Sequence, residues 1–79
     1  MTVTVRYFAV LRDRAGTSFE SVTTDAKTVR ELVDKLIVDR KLGLPPSLVR
    51  IAKNGAFVED NSLLTDGDEV VLLPPVAGG

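Results

Sequence analysis

One stretch near the middle of this chain keeps a helical period, and what lies on either side of it does not. Val29, Leu32, Val33, Leu36 and Ile37 recur at i, i+3, i+4, i+7 and i+8, which lines them along one face of an α-helix. Ahead of them Thr28-Val29-Arg30-Glu31 reads as a capping box, in which the Thr28 hydroxyl accepts from the Glu31 amide and the Glu31 carboxylate returns to the Thr28 amide. The helix is expected to run to about Lys41, with Gly43 as its C-terminal cap and Pro45-Pro46 preventing continuation. It is the one long helix of the chain, and its apolar stripe needs a sheet to cover.

The flanks supply that sheet. Thr2 to Leu11 is rich in β-branched and aromatic residues and begins with period-two alternation, so it is read as the first strand. Asp13 to Thr17, with Gly16, gives a turn signal, and Ser18 to Thr23 returns antiparallel to complete a β-hairpin. Beyond the helix Val49 to Lys53 makes a third strand, Asn54-Gly55 a two-residue hairpin turn, and Ala56-Phe57-Val58 a short fourth strand. Leu63-Leu64 is expected to tuck under the core between turns at Asp60-Asn61-Ser62 and Asp66-Gly67-Asp68, and Glu69 to Leu73 is the last strand. The order gives an α+β fold, a β-grasp roll in which a mixed five-stranded sheet is crossed by one main helix. Residues 1–74 are read as that domain and 75–79 as a flexible Gly-Gly tail.

Composition closes off several functions. Seventy-nine residues make one domain with no room for a second core. A formal charge of −1 with interspersed signs leaves no electrostatic footprint for nucleic acid or an anionic membrane. No apolar run approaches the roughly 20 residues that span a bilayer, no secretory signal opens the sequence, and a cytoplasmic location is expected. With neither Cys nor His, the thiolate nucleophile, the commonest metal ligand and the usual general base are all missing, so neither a metal site nor a bound cofactor is expected. The acidic residues Glu59, Asp60, Asp66, Asp68 and Glu69 lack the spacing of a calcium loop and read as solvated turn residues. The chain is not expected to be a catalyst on its own.

The chemistry is expected at the end. Ala77-Gly78-Gly79 follows the last strand through Pro74-Pro75, which cannot donate ladder hydrogen bonds and stiffen what comes next. From Pro74 to Gly79 an extended chain reaches roughly 20 Å, enough to enter a partner's active site. Glycines without side chains suit a narrow channel. Alternation turns Val3, Val5, Tyr7 and Ala9 toward the helix and Thr4, Arg6, Phe8 and Val10 away from it; Val70 and Leu72 face in, Val71 and Leu73 out. With first and last strands side by side, Phe8, Val10, Val71 and Leu73 form an apolar patch near the tail's exit, a docking surface whose polar rim is assigned to Arg6, Arg12 and Lys53.

Val5-Arg6-Tyr7-Phe8-Ala9 with Leu11-Arg12, and Leu64-Thr65-Asp66-Gly67-Asp68-Glu69-Val70 running to Leu73-Pro74-Pro75-Val76-Ala77-Gly78-Gly79, resemble the small subunits of molybdopterin synthases along the whole chain. The resemblance implies a sulfur carrier that binds no cofactor itself. Its Gly79 carboxylate would be adenylated by an E1-like activating enzyme using ATP, converted to a thiocarboxylate by a sulfur donor protein, and inserted into the synthase large subunit to deliver sulfur to precursor Z. It further implies an assembly of two small and two large subunits, interface positions at Phe8 and Leu73, Leu73 standing where the family often has an aromatic, and a role for Gly78 in tail access. Together with the open-face patch, this assigns partner contact to Phe8, Val10, Arg12, Val71, Leu73, Pro74, Pro75, Val76 and Ala77. Related β-grasp carriers serve thiamine or cysteine synthesis with a similar end; a ubiquitin-like protein modifier and an inert interaction module are the readings from other classes.

Overall fold

The computed structural model describes residues 1–75. Its elements run β1 (Thr2–Tyr7), α1 (Val10–Ala15), β2 (Phe19–Thr23), α2 (Val29–Asp39), a 3-10 turn at Pro46–Leu48, β3 (Arg50–Lys53), β4 (Ala56–Phe57) and β5 (Glu69–Leu73). The sheet order is β2-β1-β5-β3-β4, with β1 and β5 parallel at the centre and the remaining pairs antiparallel. This is the expected mixed five-stranded sheet with one main helix. Val29, Leu32, Val33 and Leu36 of α2 pack with Val3, Val5 and Tyr7 of β1, Val70 and Leu72 of β5, and Ile51 of β3, in one buried cluster. Within β1 and β5 every second residue enters the core, as a strand with one covered face requires.

The first strand is shorter than its composition implies. It ends at Tyr7, and Ala9 takes φ 52 and ψ −128, a left-handed setting that turns the chain while the Leu11 amide donates to the Phe8 carbonyl at 3.1 Å. Val10 to Ala15 then form α1, and Gly16, taken as a hairpin turn residue, is its left-handed C-cap at φ 80. β1 and β2 are antiparallel as expected, but the connection carries a helix in place of a tight turn. The physical reason is legible afterwards: alternation stops at Tyr7, and Leu11 and Ala15, four apart, both pack on the core. Ala9 is accordingly exposed, not part of the inner face.

At α2 the Thr28 hydroxyl accepts from the Glu31 amide at 3.2 Å as expected, whereas the Glu31 carboxylate reaches one residue further back, to the Lys27 amide at 3.1 Å. The helix ends two residues early in a Schellman arrangement. The Leu42 amide donates to the Ile37 carbonyl and the Lys41 amide to that of Val38, with Lys41 itself at φ 53 and Leu42 fully buried. The left-handed cap position therefore falls on Lys41, not Gly43. Gly43 follows at φ 75, a left-handed setting that glycine takes without strain, beside Arg14, whose Nη1 donates to the Leu42 carbonyl at 2.7 Å. Asn54 and Gly55 both have positive φ, the type I′ turn expected of that pair. Leu64 is buried, and Leu63 is not.

Candidate functional site

The face of the sheet turned away from α2 is uncovered, and pairing register decides which side chains share it. Phe19 pairs with Arg6, Arg6 with Val71, Val71 with Ala52, and Ala52 with Phe57, so one row of side chains crosses all five strands. At about 4.8 Å per strand the row is roughly 19 Å wide. Phenylalanines exposed by 57% and 61% stand at its two ends, on the edge strands β2 and β4. Each carries an arginine: Arg6 lies 5.5 Å from the Phe19 ring centroid and Arg50 lies 4.3 Å from that of Phe57. Leu73 pairs with Arg50 in the next row, and Phe8, joined to β5 by its amide on the Leu72 carbonyl at 3.3 Å, is 46% exposed.

The open-face residues read from alternation are thus found together in part. Val71 and Leu73 project from β5 beside Phe8 on the continuation of β1, while Val10, assigned to the strand, sits on the first turn of α1 and remains exposed. Arg12 is also on α1, exposed, with Asp13 at 3.9 Å. Lys53 does not belong to the rim. It pairs with Val70 on the covered side, and its Nζ donates to the Leu63 carbonyl at 2.7 Å. Arg50 stands on the open face instead. Pro74 and Pro75 follow directly from Leu73; Val76, Ala77, Gly78 and Gly79 lie outside the described residues.

Phe19, Arg50 and Phe57 were missed by sequence reasoning, and a signal for two of them was present. A two-residue Asn54-Gly55 turn places Ala56 opposite Lys53 and Phe57 opposite Ala52, which puts Phe57 and Arg50 on Ala52's face.

The strand that carries the tail is pinned at its start. Asp68, 6% exposed, accepts from the Thr65 amide at 2.8 Å, the Thr65 hydroxyl at 3.0 Å and the Asn54 amide group at 2.9 Å. The Thr65 amide, more than any other group, holds the Asp68 carboxyl below the usual range. Asn54 in turn accepts from the Glu69 amide at 2.9 Å, so the β3–β4 turn and the first residue of β5 are fixed to each other. Arg6 meets Glu69 at 3.0 Å on the open face, with both side chains nearly half exposed. On the covered side Glu20 accepts from the buried Tyr7 hydroxyl at 2.7 Å and from Arg40 through both its oxygens, at 2.8 and 2.7 Å. Arg40 lowers the Glu20 pKa, and burial first of all raises that of Tyr7.

Among the described residues there is no group of three or more metal-ligating side chains and no cavity suited to a small molecule. What this surface offers is an open sheet face of mixed character, with arginines beside its aromatics, adjoining the point where the chain leaves the sheet.

Comparison with known proteins gives a consistent answer. The ThiS family matches residues 5–79. The molybdopterin synthase sulfur carrier subunit of Escherichia coli is 38% identical over 80 residues, covering 98% of this chain and 99% of that one. Among solved structures, SAMP1 of Haloferax volcanii superposes with a TM-score of 0.81 at 26% identity, both chains covered in full. A complex of subunits 1 and 2 of the molybdopterin-converting factor of Helicobacter pylori contains a chain with TM-score 0.71 and 31% identity, again covered in full on both sides.

Proposed function

The chain belongs to the ThiS family, and from that premise we propose that it is a sulfur carrier, the small subunit of a molybdopterin synthase. The observation that carries this reading is the full-length kinship with the Escherichia coli sulfur carrier subunit, within a family match that runs through Gly78 and Gly79. In this reading the Gly79 carboxylate attacks the α-phosphorus of ATP on an E1-like enzyme, releasing pyrophosphate. A carboxylate is a poor electrophile and the mixed anhydride a good one, so sulfur at the sulfide level, handed over by a donor protein, attacks the acyl carbon and expels AMP to leave a thiocarboxylate. The large subunit receives the tail, and the sulfur passes to precursor Z toward the molybdopterin dithiolene. Glycine at 78 and 79 keeps the reacting end slim and unhindered. The Helicobacter pylori complex supports a large-subunit partner, and the proposed assembly is a heterotetramer in the cytoplasm.

The partner covers the open face. Phe8, Val10, Arg12, Val71, Leu73 and the segment Pro74 to Ala77 are the proposed contacts, to which the sheet register adds Phe57. Pinning of β5 by Asp68 and Asn54 sets where the tail begins relative to that face. A second reading, a protein modifier joined through Gly79 to lysines of other proteins, is favoured by the likeness to a small archaeal modifier protein.

The test is the intact mass of the chain after incubation with ATP, a sulfur donor and the host's activating enzyme. Replacement of one oxygen by sulfur at Gly79, reversed on adding large subunit and precursor Z, is the expected result. Sulfur that precursor Z does not discharge would move the carrier to thiamine or cysteine synthesis. Higher-mass conjugates in the cell without sulfur gain would favour the modifier.

A further inference from the structure

Arg50 differs from Arg6, Arg30 and Arg40, which meet carboxylates, and from Arg14, whose guanidinium is anchored on the Leu42 carbonyl at 2.7 Å. Arg6 meets Glu69 at 3.0 Å, Arg30 meets Asp34 and Asp60 at 3.0 and 2.7 Å, and Arg40 grips Glu20 at 2.7 Å. Arg50 has no carboxylate within ion-pair distance among the described residues, and its guanidinium instead lies over the Phe57 ring. Strand register places it opposite Leu73, the last residue of β5 before Pro74, so it stands at the root of the tail and inside the face that docking covers.

Covering that face takes the guanidinium out of water. An arginine so buried is costly unless its N–H groups find acceptors, and the Phe57 ring satisfies none of them. Stacking does, however, hold the planar fork in one orientation, which lowers the entropy lost when a carboxylate binds it in bidentate fashion. We infer that Arg50 is a specificity-determining residue of the docking face, one that requires a carboxylate of the synthase large subunit beside an apolar group seated on Phe57. The inference rests on the sulfur-carrier reading. It also supplies discrimination, since an apolar partner surface lacking the acid would leave the buried guanidinium unpaired.

The experiment is calorimetric titration of the purified full chain with the host's large subunit, at low and at physiological salt. Arg50→Glu is expected to weaken binding by about a hundredfold and Arg50→Leu by about tenfold or more, with Arg50→Lys recovering part of the loss. Thermal unfolding of all three is expected to match the unaltered chain, because Arg50 is exposed and away from the core. In the partner, replacing the facing carboxylate by lysine should restore binding to Arg50→Glu. If Arg50→Glu and Arg50→Leu both bind within twofold of the unaltered chain, the inference is wrong while the carrier reading stands. If the unaltered chain does not bind the large subunit at all, both are overturned.

Discussion

The two faces of one sheet carry different kinds of information. On β5, Val70 and Leu72 are fully buried, while Val71 and Leu73, one residue away from each, remain partly open beside Phe8. The covered face is a packing problem: Val3, Val5, Tyr7, Val70 and Leu72 meet the stripe of α2, and what matters is volume and shape. The open face also presents apolar residues, and among the described residues no element packs over it. Residues of similar chemistry thus serve stability on one side and recognition on the other, and only alternation separates them.

The sharpest way to break that division is to shorten side chains on neighbouring positions of β5. Leu72→Ala is expected to cost about 2 to 5 kcal/mol, because it opens a cavity in a core that cannot fully collapse. A domain of this size has only about 4 to 12 kcal/mol to lose, so this variant should give up a large share of its stability and melt well below the unaltered chain. Val71→Ala should cost no more than about 1 kcal/mol, chiefly through lost strand propensity. Thermal melts followed by circular dichroism read the difference directly; equal losses at the two positions would erase the distinction between the faces.

The converse test measures docking. Phe8→Ala and Phe57→Ala are expected to shift the melting temperature by only a few degrees, yet to weaken binding of the large subunit by about tenfold or more, as truncation of aromatic anchors does. Phe19→Ala on the opposite edge serves as the internal comparison. Binding that survives both truncations would mean that the partner takes hold of the tail alone.

How far the two faces could be read in advance depended on what set them. The helix stripe, the Asn54-Gly55 turn and the inward set on β5 follow from local period and turn chemistry, the pairing of first and last strands from the β-grasp arrangement that the element order implies, and each is present. α1 was hidden because six residues are too few to show a period, and because Phe8-Ala9-Val10-Leu11 has the composition of a strand. Only the positive φ at Ala9, a backbone property that no alanine announces, breaks it. Lys53 was placed on the wrong face because the side of β3 depends on register with β5, a contact between segments distant in sequence. The face that Arg50 occupies could be read from the Asn54-Gly55 turn, but its role could not, since nothing local distinguishes Arg50 from a solvated charge.

Acid should test the covered side more than the open one. Glu20 and Asp68 both titrate below the usual carboxylate range, held there chiefly by Arg40 and by the Thr65 amide. Their folded pKa values lie below the unfolded ones, so their contribution is fully present above the unfolded values, near about 4, and is lost as pH falls through the folded ones. Stability is expected to be level near neutrality and to decline below about pH 4.5. In Glu20→Gln, which keeps the shape but weakens the grip on Arg40, the acid decline should be shallower. A decline of unchanged steepness in that variant would remove Glu20 from the account.

The smallest effect sharpens the comparison from outside both faces. Lys41 holds a left-handed conformation at φ 53 to close α2, a setting that costs an ordinary residue about 1 to 2 kcal/mol and glycine almost nothing. Part of the gain is returned because glycine has more freedom to lose from the unfolded chain. Lys41→Gly should therefore raise stability by about 0.5 to 1 kcal/mol, a few degrees in melting temperature. Since Lys41 lies at the end of the helix, on the far side of the sheet from Phe8, Phe57 and Leu73, binding of the large subunit should not change. That pairing of outcomes matters for the docking variants: if added stability alone tightened binding, a weakened Phe57→Ala could be explained by loosening of the fold, and the open face would lose its separate standing. If stability rises while affinity stays fixed, losses on the open face report contact with the partner.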